Sequence, residues 1–352
     1  MKRLGICGHF GIGQTLLNGQ TIKTKILTNE LKKQWNGKPI MIVDSHGGWK
    51  SVPRIFLQSL LLFKNCEDII IMPAHKGLCI LTPLYSFYNL LFHRRIHYVV
   101  IGGWLDAFIT SHRWLTMMLK KFHGIYVETS TMKKKLEEKG FHNITILPNC
   151  KNLSILKPEE CNVFHNKPYH LCTFSRVIKE KGIEDAIEAV HHVNGQAGEI
   201  FYDLDIYGPV DPKYRERFTK IQENFPEYIR YKGEIPFDQS TDTIKDYFAL
   251  LFPTRFYTEG IPGTIIDAYA AGVPVIASMW ESFLDVVEPD VTGIGYEIFH
   301  NEQLEDILLY VAGHPEKLIN MKEACLKKAE EFLPEKAVKQ FLNSLYEQAH
   351  LL

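Results

Sequence analysis

Residues 248–278 read FALLFPTRFYTEGIPGTIIDAYAAGVPVIAS. An apolar run, a polar loop, a mixed run and a second apolar run follow one another, which predicts strand, loop, short helix and strand. Pro262 suits the first helical turn, where its missing N–H is no loss, and Gly272 suits the C-terminal cap. The helix GTIIDAYAA is expected to open with unbonded N–H groups at about Gly263, Thr264 and Ile265; with the helix dipole these make an anion site. Glu259, in the loop at the carboxyl end of the strand, can accept hydrogen bonds from hydroxyls of whatever carries the anion. Asp267, about a turn inside the helix, can accept from a second set of hydroxyls. An anion between two hydroxyl-rich moieties describes ribose, diphosphate and sugar. The alternative is that both carboxylates only favour the positive end of a helix, at about 0.3–1 kcal/mol each.

A second stretch, TFSRVIKEKGIEDAIEAV at 173–190, follows a predicted strand (LCTFS) and presents Arg176 and Lys181 at its carboxyl end. Two charge-assisted hydrogen bonds of roughly 1.5–3 kcal/mol each offset the desolvation of a bound diphosphate. Taken alone, the two residues also read as surface cations. A third stretch, GHFGIGQTLLNGQT at 8–21, nearly spells a phosphate loop. Gly8 and Gly13 have the right separation, but Gln14 stands where the lysine belongs, before Thr15. Asn18-Gly19 is a turn signal that delays the helix to about Gln20, so the loop is too long for that compact turn. Gly8, Gly11 and Gly13 also miss the G-x-G-x-x-G spacing of a dinucleotide dehydrogenase.

These residues need strands and helices to position them. Strands are predicted in RLGICGH, PIMIVDS, DIIIMPA, IHYVVIGG, GIYVET and ITILPN, with helices in QTIKTKILTNELKKQW and TSTMKKKLEEKG. In the latter, Thr129 or Ser130 is the N-cap and Gly140 the stop. The pattern loosens over 150–167. It restarts with YHLCTFS, a helix from about Ile183, FYDLDIYG, IRYKGEI, YFALLFP and GVPVIAS, and ends in a terminal helix, PEKAVKQFLNSLYEQAHLL. Alternating strands and helices imply parallel sheets covered on both faces, with ligands bound outside the carboxyl ends of the strands.

The bulk numbers agree with two such domains in 352 residues, 45% hydrophobic and 23% charged. Runs such as IFLQSLLLF at 55–63 are too short to cross a bilayer. No apolar signal region opens the chain, and the seven cysteines are scattered without a C-x-x-C pair; a reduced, cytoplasmic setting is expected and a zinc site is not. The net charge of −1 hides an asymmetry. Residues 1–150 hold 20 Lys and Arg against 8 Asp and Glu, a net of +12, and the remainder holds 20 against 33, a net of −13.

The 248–278 and 173–190 stretches together resemble the E-x7-E signature and the strand-end cation motif of retaining glycosyltransferases of the GT-B fold, in particular glycosyltransferase family 4. The signature runs from Glu259 to Asp267, with Gly260 and Pro262 where that family often has them. Asp267 departs from the usual Glu and is one methylene shorter. The resemblance implies an α/β hexosyltransferase of two Rossmann-like domains facing a cleft, with the C-terminal helix returning to the N-terminal domain. The implied divisions are an acceptor-binding domain at 1–150, a linker at 151–167, a nucleotide-sugar-binding domain at 168–334 and the helix at 335–352. Glu259 and His75 are then catalytic. Arg176, Lys181, Gly263, Thr264 and Gly13 hold the donor diphosphate. Asp267, Gly260, Ile261, Pro262, Gly208 and Ile235 hold the nucleoside and sugar. Gly208, Gly233 and Ile235 match turns that line the base pocket in family members, although a turn glycine is a sufficient alternative. Gly11, Gln14 and Gly103 fall to loops on the acceptor side of the cleft, an ordinary βα loop being the alternative for the first two. His9, His46 and Asp106 are further candidates.

Enzymes of this fold stabilise the departing diphosphate with cations and a helix end, so no metal and no cofactor is expected. DLD at 203–205, inside a predicted strand, is where a metal dependence would be sought. Another GT-B enzyme, such as an epimerase or an inverting transferase, remains an alternative, as does a catalytically silent nucleotide- or lipid-binding module. The expected partners are a nucleotide-sugar and a glycan or lipid-linked acceptor, as in bacterial surface-polysaccharide synthesis. No nucleic-acid motif is present. The basic half interleaves cations with apolar residues in FYNLLFHRR (87–95), HRWLTMMLKKFHG (112–124) and MKKKLEEKG (132–140), against a solvated basic face as the alternative. Peripheral contact with an anionic membrane at its cytoplasmic face is expected, through Arg94 and Arg95 or Lys133, Lys134 and Lys135.

Overall fold

The computed structural model describes residues 3–14, 19–37, 39–161 and 166–350. It divides into two compact units, Met1–Asn152 with Phe332–Leu352, and Leu153–Glu331.

The first unit runs β1 (Leu4–Gly8), α1 (Gly19–Gln34), β2 (Met41–Asp44), α2 (Val52–Asn65), β3 (Asp68–Met72), α3 (His75–Phe92), β4 (Arg95–Val99), α4 (Leu105–Ser111), α5 (Arg113–Leu119), β5 (Gly124–Val127), α6 (Ser130–Glu138) and β6 (Ile144–Ile146). Its strands form one parallel sheet in the order β2-β1-β3-β4-β5-β6. Both faces are covered, so a run such as DIIIM is buried at every position. Right-handed crossovers place α1 on one face and α2 to α6 on the other. Under α2 to α6, Leu62, Phe63, Tyr85, Leu115 and Leu136 pack with Ile69, Ile71, Tyr98 and Ile125 of the strands. Under α1, Ile26, Leu27 and Leu31 pack with Ile6, Ile70 and Tyr126.

α6 begins and ends as its sequence predicts: the Thr129 hydroxyl accepts from the Met132 N–H at 3.2 Å, and Gly140 has φ +76°. α1 begins at Gly19, beside the Asn18 turn signal, which lies outside the described residues.

The second unit runs β7 (Tyr169–Phe174), α7 (Ile183–Ala197), β8 (Tyr202–Tyr207), α8 (Arg215–Gln222), β9 (Ile229–Gly233), α9 (Ser240–Ile244), β10 (Ala249–Phe252), α10 (Gly263–Ala270), β11 (Val275–Met279), β12 (Gly293–Glu297), α11 (Asn301–Gly313), α12 (Glu316–Ile319) and α13 (Lys322–Ala329). Its parallel sheet has the order β12-β11-β10-β7-β8-β9. The last helix, α14 (Pro334–His350), returns to the first unit, where Val338, Phe341, Leu342 and Leu345 join the core under α1.

Strand β12 is not evident in the sequence because GIGYE carries two glycines. Their reason is close packing: a Cβ on Gly293 would lie 2.3 Å from the Val275 carbonyl oxygen, and one on Gly295 would lie 2.6 Å from the Phe283 ring. In each sheet the strand order reverses once along the chain, between β1 and β3 and between β7 and β10. Loops part at such a point and leave a crevice at the carboxyl ends of the strands.

Candidate functional site

In the second unit, β7 and β10 pair in parallel, Leu171 with Ala249 and Cys172 with Leu250. The loops leaving them are therefore neighbours, and these carry Arg176, Lys181 and Glu259. The Lys181 ammonium donates to the Glu259 carboxylate at 2.6 Å, both side chains being largely buried. The Thr254 hydroxyl donates to the same carboxylate oxygen at 3.4 Å. The ammonium also lies 5.1 Å from the Phe252 ring centre and 5.5 Å from that of Phe256.

Glycine makes this junction. Gly182 caps α7 in the left-handed region, φ +66°, and a Cβ there would sit 1.8 Å from the Pro253 carbonyl oxygen. The Arg255 N–H donates to the Glu180 carbonyl at 2.8 Å, and the Arg255 guanidinium forms a two-bonded pair with Asp185 of α7. Gly208 does the same on the other side. A Cβ there would lie 1.9 Å from the Ser175 carbonyl oxygen, and its own N–H donates to the Gly233 carbonyl at 2.8 Å. Arg176 is exposed next to this contact and carries no ion pair among the described residues.

Helix α10 opens beside Glu259. Pro262 stands one residue ahead of the helix, at the N-cap with ψ 125°, not within the first turn. Its carbonyl accepts from the Ile265 N–H at 3.1 Å, so that amide is not among the open donors as the sequence suggests. The amides of Gly263 and Thr264 make no hydrogen bond among the described residues. The Thr264 hydroxyl oxygen is buried and has no hydrogen-bond partner among the described residues. Gly260, Ile261 and Pro262 are buried, as is Asp267, 4% exposed, while Ile235 is half-buried. Two open amides and an orphaned hydroxyl at a positive helix end make a site for an anionic oxygen.

The DLD carboxylates share a face and are already partnered. Arg230 donates to Asp205 at 2.6 Å and to Asp203 at 3.0 Å, His170 meets Asp203 at 2.6 Å, and the Tyr247 hydroxyl donates to Asp205 at 2.6 Å.

The first unit has its own recess at the β1/β3 switch point. A cavity of about 1000 Å³ is lined by His9, Gln20, Ser45, His46, Pro73, His75 and Lys76, among others. His9 and His46 hydrogen-bond through Nε2 and Nδ1 at 3.0 Å, and the other His9 nitrogen meets the Thr21 hydroxyl at 2.7 Å. Burial, followed by the facing His46 ring, lowers the His9 imidazole pKa. His75 begins α3 and stacks on Trp104 with ring centres 3.8 Å apart; partial burial lowers its pKa.

The glycine-rich loop wraps a residue the sequence reading passed over. Asp44, at the end of β2, accepts from the N–H groups of Phe10 at 2.9 Å, Gly11 at 3.3 Å, Ile12 at 2.8 Å and His46 at 2.9 Å. Burial would raise its carboxyl; these four donors outweigh that and hold it below the usual carboxylate range. The Gly11 amide is thus committed to Asp44, and the Gln14 amide to the Gly11 carbonyl at 3.0 Å, while the amide of Gly13, φ +82°, makes no hydrogen bond among the described residues. The sequence signal was an aspartate closing an apolar strand before small residues, DSHGG.

A buried pair, Lys23 to Glu128 at 2.6 Å, was also passed over; Glu128 accepts the Gly102 N–H at 2.9 Å and so fixes the turn ahead of Gly103. Asp106 pairs with Lys139 and Lys135, on the α4–α6 side.

Residues 168–314 match the family described as "Glycosyl transferases group 1". The putative colanic acid biosynthesis glycosyltransferase WcaL of Escherichia coli is 25% identical over 130 residues, 36% of this chain and 32% of that protein, so the match spans about a third of that relative. Among solved structures, Anabaena HepE in complex with UDP superposes with a TM-score of 0.76 at 12% identity, covering 99% of this chain and 100% of that one. Sucrose-phosphate synthase from Thermosynechococcus elongatus gives 0.75 at 14% identity over the full length of both. The two parallel six-stranded sheets are those of the GT-B fold.

Proposed function

We propose that this protein is a group 1 glycosyltransferase that moves a hexosyl group from a nucleotide-sugar to a glycan or lipid-linked acceptor with retention of configuration. The observation that carries the reading is the Lys181–Glu259 junction beside the open end of α10, with the orphaned Thr264 hydroxyl. The family match over 168–314 covers this junction.

The chemistry follows from the groups present. As the bond from the anomeric carbon to the diphosphate breaks, the electron pair goes to the diphosphate oxygen; the acceptor hydroxyl oxygen bonds to the same carbon and its proton passes to that departing oxygen. Charge grows on the leaving diphosphate, so groups fixed around it lower the barrier. Lys181, with one N–H on Glu259, keeps two more for phosphate oxygens. Arg176 supplies a planar fork suited to phosphate. The Gly263 and Thr264 amides and the Thr264 hydroxyl complete the cradle. Each charged contact contributes roughly 1.5–3 kcal/mol. Glu259 keeps an oxygen for a sugar hydroxyl, and Asp267 is assigned to the ribose with Gly260, Ile261, Pro262, Gly208 and Ile235 shaping that pocket. The cavity holding His75 is assigned to the acceptor, and Gly103 to a loop on the acceptor side; Gly11 and Gln14 line a separate recess with Lys25 and Asn29.

HepE was captured with UDP, which makes a uridine diphosphate sugar the first donor to test. WcaL is named for colanic acid biosynthesis, in line with a surface-polysaccharide acceptor. The basic first 150 residues support peripheral contact with an anionic membrane at its cytoplasmic face. The deciding experiment is a panel of nucleotide-sugars scored first by thermal shift and then by transfer, with the product anomer read by NMR. A specific ligand raises the melting temperature by mass action. No shift and no turnover with any UDP-, GDP-, ADP- or dTDP-sugar overturns the reading.

A further inference from the structure

Three helices of the first unit share an unusual outer surface. In α2, α3 and α5 the inner faces fill the core, yet Leu57 is 63% exposed, Leu90 72%, Leu91 65% and Met117 67%. Leu61, Phe87 and Trp114 stand out beside them. The helices form one layer: the Tyr88 hydroxyl of α3 donates to the Phe56 carbonyl of α2 at 3.2 Å, and α3 and α5 line a common apolar groove of about 360 Å³ with Pro83, Phe87, Leu90, Met118, Phe122 and Lys121. An apolar patch of this breadth marks an interaction surface.

Charge identifies what covers it. Residues 45–66, 69–105 and 107–127 contain no Asp or Glu. Lys64, Arg113 and Lys121 are exposed on this layer and carry no ion pair among the described residues. Of the cations that the sequence offered for a membrane, Arg95, Lys133 and Lys135 are ion-paired, while Arg94 donates to the Phe63 carbonyl at 2.9 Å. Arg95 is bound twice to Asp68, at 2.6 Å each, Lys133 meets Glu137 at 3.8 Å, and Lys135 meets Asp106 at 3.9 Å. A second copy of this chain would set cation against cation across the same face. An anionic bilayer instead answers both features, headgroups for the cations and the acyl boundary for the leucines. None of the described helices is long and apolar enough to cross a membrane, so the contact is peripheral.

We propose that the outer layer of α2, α3 and α5 is the membrane-docking face, lying on an anionic leaflet with Leu57, Leu90, Leu91 and Met117 inserted and Lys64, Arg113 and Lys121 at the headgroups. The inference rests on the membrane-facing acceptor reading above, and it moves the contact from α6 and the ion-paired Arg95 to this layer.

Sedimentation with phosphatidylcholine vesicles, with and without phosphatidylglycerol, tests it on the full chain. Binding to the mixed vesicles at low salt is expected, falling as salt rises. The variant L57E/L90E/L91E/M117E is expected to lose it by about tenfold or more, as is K64E/R113E/K121E, whereas K133A/K134A is expected to keep it. Brominated acyl chains should quench a part of the tryptophan emission that W114F removes, which reports insertion without relying on the charge-reversed variants. The thermal shift given by UDP reads the transferase site separately. If the wild type ignores anionic vesicles while responding to UDP, the docking face is wrong and the transferase reading stands. If K133A/K134A loses binding and the helix-face variants do not, the face is misplaced. If the wild type is a dimer that the leucine variant dissociates, and vesicles are ignored, the patch joins two copies instead.

Discussion

Lys181 and Glu259 lie 78 residues apart in sequence and form a direct ion pair at 2.6 Å, one on the loop after β7 and the other on the loop after β10. Each holds the other at the mouth of α10, so their roles in binding and in turnover can be separated by mutation.

Glu259→Ala releases Lys181 toward phosphate. Affinity for free UDP is expected to hold or rise, while transfer falls by about 10²–10³, the scale seen when one transition-state contact is removed. Calorimetry and a transfer assay on the same folded protein check this. Parallel loss in both readouts would mean that Glu259 only positions Lys181.

Removing a cation and removing the orphaned hydroxyl are both expected to weaken the diphosphate site. Arg176→Ala is expected to weaken UDP by about tenfold or more and uridine little. Thr264→Val deletes a buried oxygen with no partner. The unliganded protein should then be equally or more stable, with UDP bound more weakly. A destabilised Thr264→Val protein with unchanged UDP affinity removes this hydroxyl from the phosphate site.

The Gly182–Pro253 contact predicts a graded stability loss. Gly198 has φ +67° and open space for 4 Å around the place a Cβ would take, whereas Gly182 has φ +66° and a carbonyl oxygen 1.8 Å from it. Gly198→Ala should cost about 1–2 kcal/mol from backbone conformation alone. Gly182→Ala should cost distinctly more and should also weaken UDP, because the β7 and β10 loops must separate. Urea unfolding of the two variants gives the comparison.

Asp68 sets a pH dependence in the first unit. Burial raises its carboxyl, but the Arg95 fork and His97 outweigh that and hold it at about 2, below its ordinary 3.8. A carboxyl depressed in the folded state stabilises above its ordinary pKa, and that stability is lost as pH falls through the folded value. The contribution is about 2 kcal/mol, present above about pH 4 and lost toward pH 2. Asp68→Asn should destabilise the protein at pH 7 and flatten the acid limb of its stability curve. An unchanged acid limb would assign it to other carboxylates.

Much of this was readable in the sequence where one rule acts on one segment. Most strands up to β11 are apolar runs bounded by turns, with charged residues breaking the run in β8 and β9, and the α6 caps follow from Thr129 and Gly140. The β12 strand was not readable, since its glycines answer to Val275 and Phe283, which no local pattern reveals. The α2, α3 and α5 runs were equally opaque, being apolar on the outer face as well as the inner. At the candidate site, the residues Arg176, Lys181 and Glu259 came from motif and spacing. The contact of Lys181 with Glu259 follows only from the pairing of β7 with β10. The engagement of the Gly11 amide with Asp44 was hidden for the same reason: it depends on which strand lies beside β1.

The return of α14 has a consequence for how the chain is made. The second unit, Leu153–Glu331, is continuous and can complete its fold as soon as it clears the ribosome. The first unit, although translated earlier, leaves the apolar face under α1 open until Val338, Phe341, Leu342 and Leu345 arrive. The ordinary order in which an N-terminal domain finishes first is thereby reversed. The half-built first unit waits, without the part of this core that α14 supplies, through the synthesis of the whole second unit. It is the stage of biogenesis at which a chaperone has most to protect.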